Sequence, residues 1–174
     1  MKIGLTGTQS VGKSTLVKAL QELPEFQEYK TATERSKYLS DLGIPLNTDS
    51  TLEGQFIFMA ERASELLQEK IITDRTVYDV CAFTLSAKSI KWTDKVNFVK
   101  TAIPLAQKYD VIFYVSPEGV EIEDNGVRTT DPIFRDKIDQ IIQETLKEYP
   151  PQKLITLKGS TEERIKQIKE VLFS

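Results

Sequence analysis

The sequence predicts an α/β fold in which helices cover both faces of a parallel sheet. Two observations support this prediction. Short apolar runs alternate with helical patterns along the chain, and the first run ends at a glycine-rich segment that leads into a helix. The 174 residues, of which 40% are hydrophobic and 28% charged, fit one globular domain. We therefore expect a single domain over residues 1–174, without a linker or an internal repeat.

Five strands are predicted from short apolar or β-branched runs, at residues 2–6, 30–33, 70–73, 110–115 and 153–157. Helical patterns fall between them, at residues 13–22, 52–69, 77–87, 94–108, 132–149 and from 161 onward. Residues 116–131 are polar and contain Gly119 and Gly126, so we interpret them as a loop or small lid. Ligands of parallel sheets bind at the carboxyl ends of the strands. Candidate site residues therefore follow the strands, at Gly7, Glu34, Asp74, Ser116 and Lys158.

Three helix starts carry capping signals. Ser50–Glu53 and Ser160–Glu163 match the capping-box pattern, and Asp131 precedes Pro132 as an N-cap residue precedes a first-turn proline. In the helix from residue 52, three-four spacing predicts a core stripe of Leu52, Phe56, Met59, Ala63 and Leu66. Trp92 and Cys81 are interpreted as packing residues.

Composition excludes several kinds of site. Histidine is absent and Cys81 is the only cysteine, which excludes an intrachain disulfide, a Cys/His metal framework and a histidine-based triad. The net charge of −3 gives no support for a large non-specific nucleic-acid surface. No apolar run is long enough to cross a membrane and no signal-peptide pattern is present, so we expect a cytoplasmic protein.

Residues 7–14, Gly-Thr-Gln-Ser-Val-Gly-Lys-Ser, match the pattern G-x-x-x-x-G-K-[ST] between a strand and a helix. Such a loop, here named the phosphate loop, directs several backbone N–H groups into one concavity that holds phosphates. Lys13 would reach the β- and γ-phosphates, the Ser14 hydroxyl would bind Mg²⁺, and Thr15 would support the α-phosphate. The nucleotide-binding residues predicted here are Gly7, Gln9, Ser10, Val11, Gly12, Lys13, Ser14 and Thr15. The sequence thus predicts Mg·ATP binding.

Asp74 and Arg75 end the third predicted strand, about sixty residues after Lys13. A carboxylate at that point would hold a Mg²⁺-bound water or take a proton from an attacking hydroxyl, and the arginine would clamp a substrate phosphate. A solvated ion pair at a strand end is the alternative.

Two further groups are candidates for an acceptor site. Glu34 and Arg35 would contact a sugar hydroxyl and a phosphate, or else form a surface charge pair. Gln55, Phe58 and Arg62 form a second face of the long helix, which suits the edge and face of a nucleobase. An ordinary polar flank with one packed phenylalanine is the alternative for that face.

The lid and the last turn complete the set of candidates. Arg128, in the lid, would neutralise charge on a transferring phosphoryl group, and Arg135, in the next helix, would bind the substrate. The alternative for Arg128 is a solvated loop arginine. Ser160, after the last strand, would edge the adenine ring, and a plain helix cap explains the same residue.

Along the chain, the motifs are the phosphate loop, Glu34-Arg35 after the second strand, Asp74-Arg75 after the third, Gly126-Val127-Arg128 in the lid, and Gly-x-x-Glu-Glu-Arg at residues 159–164. In this order they resemble the motifs of the P-loop nucleoside and nucleotide kinases, in particular the nicotinamide-riboside-kinase-like domain of the NadR type. The resemblance covers essentially the whole chain. It implies a three-layer P-loop NTPase fold with a five-stranded sheet in the order 2-3-1-4-5 and a small lid. It also implies transfer of the ATP γ-phosphoryl group to a small nucleoside or nucleotide. Lys13, Asp74 and Arg128 then become catalytic residues. Ser14 and Asp74 become Mg²⁺ ligands, and Glu34 a ligand of a substrate hydroxyl.

The acceptor is left open among nucleosides, nucleotides, nicotinamide riboside and a base in DNA, because the pyridine-specific part of the pocket is not recognisable. An ATPase or a nucleotide-binding module without an acceptor is a further alternative, and so is a homodimer. A GTPase is disfavoured because the sequence has neither an N-K-x-D motif nor a D-x-x-G motif after the third strand.

Overall fold

The computed structural model describes residues 1–33, 35–121 and 130–173. The strands within these ranges are β1 (Lys2–Thr6), β2 (Lys30–Ala32), β3 (Ile71–Asp74), β4 (Val111–Val115) and β5 (Leu154–Leu157). The α-helices are α1 (Lys13–Gln21), α2 (Ser36–Asp41), α3 (Leu52–Glu65), α4 (Val77–Ser86), α5 (Trp92–Ala106), α6 (Pro132–Glu148) and α7 (Thr161–Phe173).

The five strands form one parallel sheet in the order β2-β3-β1-β4-β5, which confirms the predicted fold class and strand order. Leu5 of β1 lies opposite Asp74 of β3, and Thr6 lies opposite Tyr114 of β4. Val115 of β4 lies opposite Leu157 of β5. The carboxyl ends of these four strands therefore meet at one edge of the sheet.

Each face of the sheet has its own hydrophobic core. Successive side chains of β4 point to opposite faces, so Ile112 and Tyr114 pack in one core while Val111 and Phe113 pack in the other. The first core is built mainly with α3, α4, α5 and α6, and the second with α1 and α7. This arrangement gives the three layers that were predicted.

The predicted helix caps are confirmed with one shift. The Ser160 N–H donates to Glu163 at 2.7 Å, and the Glu163 N–H donates to the Ser160 hydroxyl at 3.2 Å. Asp131 accepts from the Ile133 N–H at 2.9 Å. The cap of α3 is Thr51, one residue later than predicted, and it accepts from the Gly54 N–H at 3.2 Å.

Two boundaries and one element differ from the predictions. Helix α3 ends at Glu65 rather than near residue 69, because Leu67 and Gln68 donate to the carbonyls of residues three positions earlier and tighten the chain into turns. Helix α5 begins at Trp92 rather than at residue 94. Helix α2 was not predicted, because six residues are too few to show a helical period.

The predicted core stripe of α3 is wrong at Phe56. Phe56 is 52% exposed and lies against Phe98 of α5, with ring centroids 5.4 Å apart. The buried residues of this helix are Gly54, Gln55, Met59 and Arg62. The helical period was correct, but the inward face is rotated toward the side that carries glutamine and arginine.

Of the two residues interpreted as packing residues, Cys81 is buried and Trp92 is exposed. Cys81 is fully buried, and burial raises the pKa of its thiol to about 12. Trp92 is 69% exposed, so its interpretation as a packing residue is wrong. It is the first residue of α5, whose buried face is formed further along by Phe98, Val99 and Ala102.

Within the described ranges, no helix combines the length and the apolar character needed to cross a membrane.

Candidate nucleotide and acceptor site

The phosphate loop lies between β1 and α1, directly against the end of β4. Gly7 has φ +146°, and a Cβ atom at that position would lie 2.6 Å from the Val115 carbonyl oxygen. Gly12 has φ +84° and Ser10 has φ 56°, so the chain turns through the left-handed region twice more. The tight curvature expected of a phosphate-binding loop is therefore present.

Lys13 begins α1, and its side chain folds back over the loop. The ammonium group donates to the carbonyl oxygens of Gly7 and Thr8, both at 2.6 Å, and the residue is buried. This places the positive charge within the curve of the phosphate loop, where negatively charged phosphates would be held.

Ser14 and Asp74 meet at the same edge of the sheet. The Ser14 hydroxyl donates to Asp74 Oδ2, which joins the first turn of α1 to the end of β3. Asp74 is buried, and its second oxygen, Oδ1, has no hydrogen-bond partner among the described residues. A hydroxyl and a carboxylate oxygen at this point are ligands that suit Mg²⁺.

Within the described residues, no group of three or more acidic, cysteine or histidine side chains could form a complete metal site. Mg²⁺ at nucleotide sites is commonly held by one or two protein oxygens together with phosphates and waters. Ser14 and Asp74 therefore fit a metal ion that is bound together with a nucleotide.

Asp79 is a structural residue of the site that the sequence analysis missed. Its carboxylate accepts from the Gly7 N–H at 3.3 Å, the Thr6 hydroxyl at 2.8 Å and the Thr76 N–H at 2.7 Å. It is fully buried and closes a capping box with Thr76 at the start of α4. The Thr-x-x-Asp spacing was the signal that would have identified it.

Two arginines from distant parts of the chain support the phosphate loop. Arg164 of α7 donates to the Val11 carbonyl at 2.7 Å and to the Ser116 carbonyl at 3.4 Å. Its pKa is lowered because burial disfavours the charged guanidinium. Arg135 of α6, which is predicted to bind substrate, donates to the Val120 carbonyl at 2.8 Å and to the Ser10 carbonyl at 3.4 Å.

A cavity adjoins the phosphate loop and is here named the α3–α4 cavity. Its empty volume is about 530 Å³, which includes space open to solvent. It is enclosed by the phosphate loop, α2, the segment before α3, α3 itself and α4. The lining residues are Gln9, Ser36, Leu46, Asn47, Ser50, Gln55, Phe58, Arg62, Arg75, Asp79, Val80 and Phe83. The cavity thus joins the helix face of Gln55, Phe58 and Arg62 to two residues that were predicted separately, Arg75 at the end of β3 and Gln9 of the phosphate loop.

Two polar residues of α3 are held firmly in the cavity wall. Arg62 is buried and donates to both carboxylate oxygens of Glu65, at 2.7 and 2.5 Å. Burial alone would lower the pKa of Arg62, but the bonds to Glu65 and the nearby acidic groups raise it overall. Gln55 is also buried and accepts from the Thr84 hydroxyl at 3.3 Å. Neither residue lies on a solvated flank.

Arg75 is held in an unusual backbone conformation at the wall of the cavity. Its φ is 98°, a value that residues with side chains rarely adopt, and its N–H donates to the Leu5 carbonyl at 3.0 Å. Its guanidinium lies 5.0 Å from the Phe83 ring centroid and 4.0 Å from Asp79 Oδ1. Such conformations persist only where the surrounding structure holds them, often at functional sites.

The remaining predicted residues are less closely grouped. Arg35 pairs with Glu61 at 3.3 Å and is not among the residues that line the cavity. Thr15 is exposed in the first turn of α1, and Ser160 is an exposed helix cap. Glu34 and residues 122–129 of the predicted lid, which include Arg128, lie outside the described residues.

A glycine-rich loop between β1 and α1, with Lys13 over the loop and Ser14 bonded to Asp74, defines the P-loop NTPase class on a parallel sheet of this strand order. The family model described as "AAA domain" matches residues 2–164. The chain therefore belongs to the AAA-domain family.

Solved structures share this fold across nearly the whole chain. Deoxyadenosine kinase from M. mycoides with bound dCTP is 18% identical, with a TM-score of 0.69 and coverage of 99% of this chain and 98% of that chain. The YorR protein from Bacillus subtilis, in complex with phosphorylated GDP, is 19% identical, with a TM-score of 0.60 and coverage of 99% and 95%. NadR protein in complex with NR is 14% identical, with a TM-score of 0.77.

The match to NadR covers 97% of this chain and 50% of that protein, so the chain spans about half its length. No curated protein matches the sequence closely enough to show a relationship. The resemblance predicted from the motifs, to P-loop nucleoside kinases and the NadR-type domain, is confirmed by the family match and by these folds. At these identities the likeness establishes the fold.

Proposed function

We propose that this chain is an ATP-dependent kinase that transfers the γ-phosphoryl group of Mg·ATP to a hydroxyl group of a small nucleoside or nucleotide. One observation carries the proposal. The α3–α4 cavity meets the phosphate loop at Gln9 and the strand end at Arg75. A kinase needs a second pocket beside its phosphate site, whereas an ATPase or a simple nucleotide-binding module does not.

At the nucleotide end, the phosphate loop binds the ATP phosphates and Lys13 neutralises part of their charge. Ser14 and Asp74 would hold Mg²⁺, which when bound neutralises charge on the β- and γ-phosphates. Asp79 and Arg164 hydrogen-bond to the loop backbone, at the Gly7 N–H and the Val11 carbonyl, and stabilise its conformation. The fixed loop therefore presents its N–H groups without reorganisation when ATP binds.

In the transfer itself, the acceptor oxygen forms a bond to the γ-phosphorus, and the bond between that phosphorus and the departing ADP oxygen breaks. The proton of the acceptor hydroxyl passes to a carboxylate. Asp74 is one candidate because its buried Oδ1 has no partner among the described residues. Glu34 is the other candidate on sequence grounds.

At the acceptor end, the cavity has the character of a site for a neutral ring system. The Phe58 and Phe83 rings line it together with the Gln55 amide, which suits the face and the edge of a nucleobase. Arg62 is already neutralised by Glu65 through two hydrogen bonds, so it is not available as a phosphate ligand. The shared fold of deoxyadenosine kinase with bound dCTP and of NadR in complex with NR supports such an acceptor.

The test is a screen for acceptor-dependent ADP release with Mg·ATP. The panel contains nucleosides, nucleoside monophosphates, nicotinamide riboside and short DNA, and mass spectrometry detects the phosphorylated acceptor. ADP and phosphorylated acceptor formed in equal amounts support the proposal. ADP release that no acceptor stimulates would make the chain an ATPase, and phosphorylation of DNA alone would make it a DNA kinase. ATP binding without any turnover would leave a nucleotide-binding module.

A further inference from the structure

Gln9 belongs to the phosphate loop by sequence, yet it lines the α3–α4 cavity. It is only 2% exposed. Lys13, Ser14 and Asp74 are not among the lining residues of this cavity. Gln9 therefore borders the space assigned to the acceptor, whereas Lys13, Ser14 and Asp74 do not.

Hydrogen bonding satisfies one end of the Gln9 amide. Its Oε1 lies 3.0 Å from the Thr8 hydroxyl, while its Nε2 is buried without a hydrogen-bond partner among the described residues. A buried amide group without a partner is unfavourable, and such groups in native proteins usually have a ligand or water to bond.

The Thr8 hydroxyl also lies 2.9 Å from the Arg135 carbonyl, and it has a single proton for these two contacts. If that proton goes to Arg135, the Gln9 oxygen is without a donor, or the opposite amide orientation directs the NH₂ group to the Thr8 oxygen. If the proton goes to Gln9, the buried NH₂ group is the end without a partner. In each arrangement at least one end of the amide is left for a cavity ligand.

We propose that Gln9 is a specificity-determining residue that hydrogen-bonds a sugar hydroxyl of the acceptor, other than the hydroxyl that is phosphorylated. A hydroxyl group both donates and accepts, so it pairs with either orientation of the amide. The acceptor is then a nucleoside that carries at least two sugar hydroxyls. This inference rests on the proposed kinase function and narrows its substrate class.

The test compares acceptors that differ only in sugar hydroxyls, which are the common ribonucleosides, their 2′-deoxy forms and their 2′,3′-dideoxy forms. For the wild-type protein we expect kcat/KM for the hydroxylated acceptor to exceed that for its dideoxy form by roughly 100-fold or more. Gln9→Met keeps the side-chain length but removes both polar atoms. It should reduce this ratio to about 3-fold or less, because kcat/KM falls only for the hydroxylated acceptor.

Gln21→Met, at an exposed position of α1, is the matched control and should leave the ratio unchanged. Thermal melting and binding of a non-hydrolysable ATP analogue show whether the Gln9→Met protein is folded with an intact nucleotide site. A folded variant that keeps the wild-type ratio would overturn the inference. An equal rise in the KM for ATP with every acceptor would also overturn it, since Gln9 would then be a nucleotide ligand. If the wild-type protein phosphorylates a nucleotide but no nucleoside, the inference fails and the proposed function stands. If it phosphorylates no acceptor of either kind, the proposed function fails as well.

Discussion

Replacing Arg164 with methionine removes a guanidinium that connects α7 to the phosphate loop, while most of the aliphatic packing is kept. The short bond to the Val11 carbonyl, at 2.7 Å, is lost, together with the weaker contact to Ser116 at 3.4 Å. Hydrogen bonds that involve a charged group contribute about 1.5–3 kcal/mol each, and the long contact adds little. We therefore expect the free energy of unfolding to fall by about 2–3 kcal/mol.

For a chain of this size, each kcal/mol lost from the free energy of unfolding lowers the melting temperature by about 2–4 °C, so we expect a fall of about 4–12 °C. We also expect an effect on ATP binding, because Val11 lies in the loop that is proposed to surround the phosphates. We expect the affinity for an ATP analogue to fall on the order of 10-fold, which is about 1.4 kcal/mol.

Differential scanning fluorimetry measures the first effect and isothermal titration calorimetry the second. Lys166→Met is the matched control, since it removes a cation from the same helix at an exposed position whose partner Glu170 is 3.9 Å away. That control should change stability by less than about 1 kcal/mol and leave ATP affinity unaltered. An Arg164→Met protein with a lower melting temperature but wild-type ATP affinity would show that Arg164 stabilises the fold without shaping the loop.

Three further substitutions test the proposed roles in catalysis. Lys13→Ala should abolish measurable phosphoryl transfer in a folded protein, with the exposed Lys18→Ala as control, and full activity would reject the ATP-site assignment. Asp74→Asn keeps the size of the side chain that accepts from Ser14 but removes its charge, so turnover should fall on the order of 10²–10⁴-fold, more than ATP affinity does. An unchanged rate would make Asp74 structural and direct attention to Glu34. Arg128→Ala should reduce kcat far more than ATP affinity measured without acceptor, because its charge would matter most in the transition state. Equal losses in both measurements would make Arg128 a simple nucleotide ligand.

The location of the candidate site was predictable because its signals are local. Gly7 and Gly12 occupy positions that require unusual φ values, and Lys13 and Ser14 follow at fixed spacing at the start of a helix. The alternation of strands and helices indicated a parallel sheet, whose strand ends must share an edge. The sequence alone therefore placed Asp74 near the phosphate loop. The hydrogen bond that Asp74 accepts from the Ser14 hydroxyl agrees with that placement.

The face of α3 that is buried could not be predicted from its sequence. Apolar residues at three-four spacing indicated Phe56, but the structure buries Gln55 and Arg62. A helical period identifies the possible faces of a helix and does not show which one meets a polar cavity. Arg62 is tolerated in the interior because Glu65 lies one turn away and neutralises it, and only the packing of α3 against α4 makes that arrangement necessary.

The sequence by itself determined the parallel sheet, the phosphate loop and the strand-end residues, because each depends on backbone geometry or spacing within a short segment. Tertiary structure alone decided which groups support that loop and which residues line the α3–α4 cavity. Asp79 contacts Gly7 across 72 positions of sequence, and Arg164 contacts Val11 across 153. Gln9 has the sequence position of a phosphate-loop residue and the surroundings of a cavity residue. No local pattern encodes such contacts, since they arise only when distant helices pack on the two faces of the sheet.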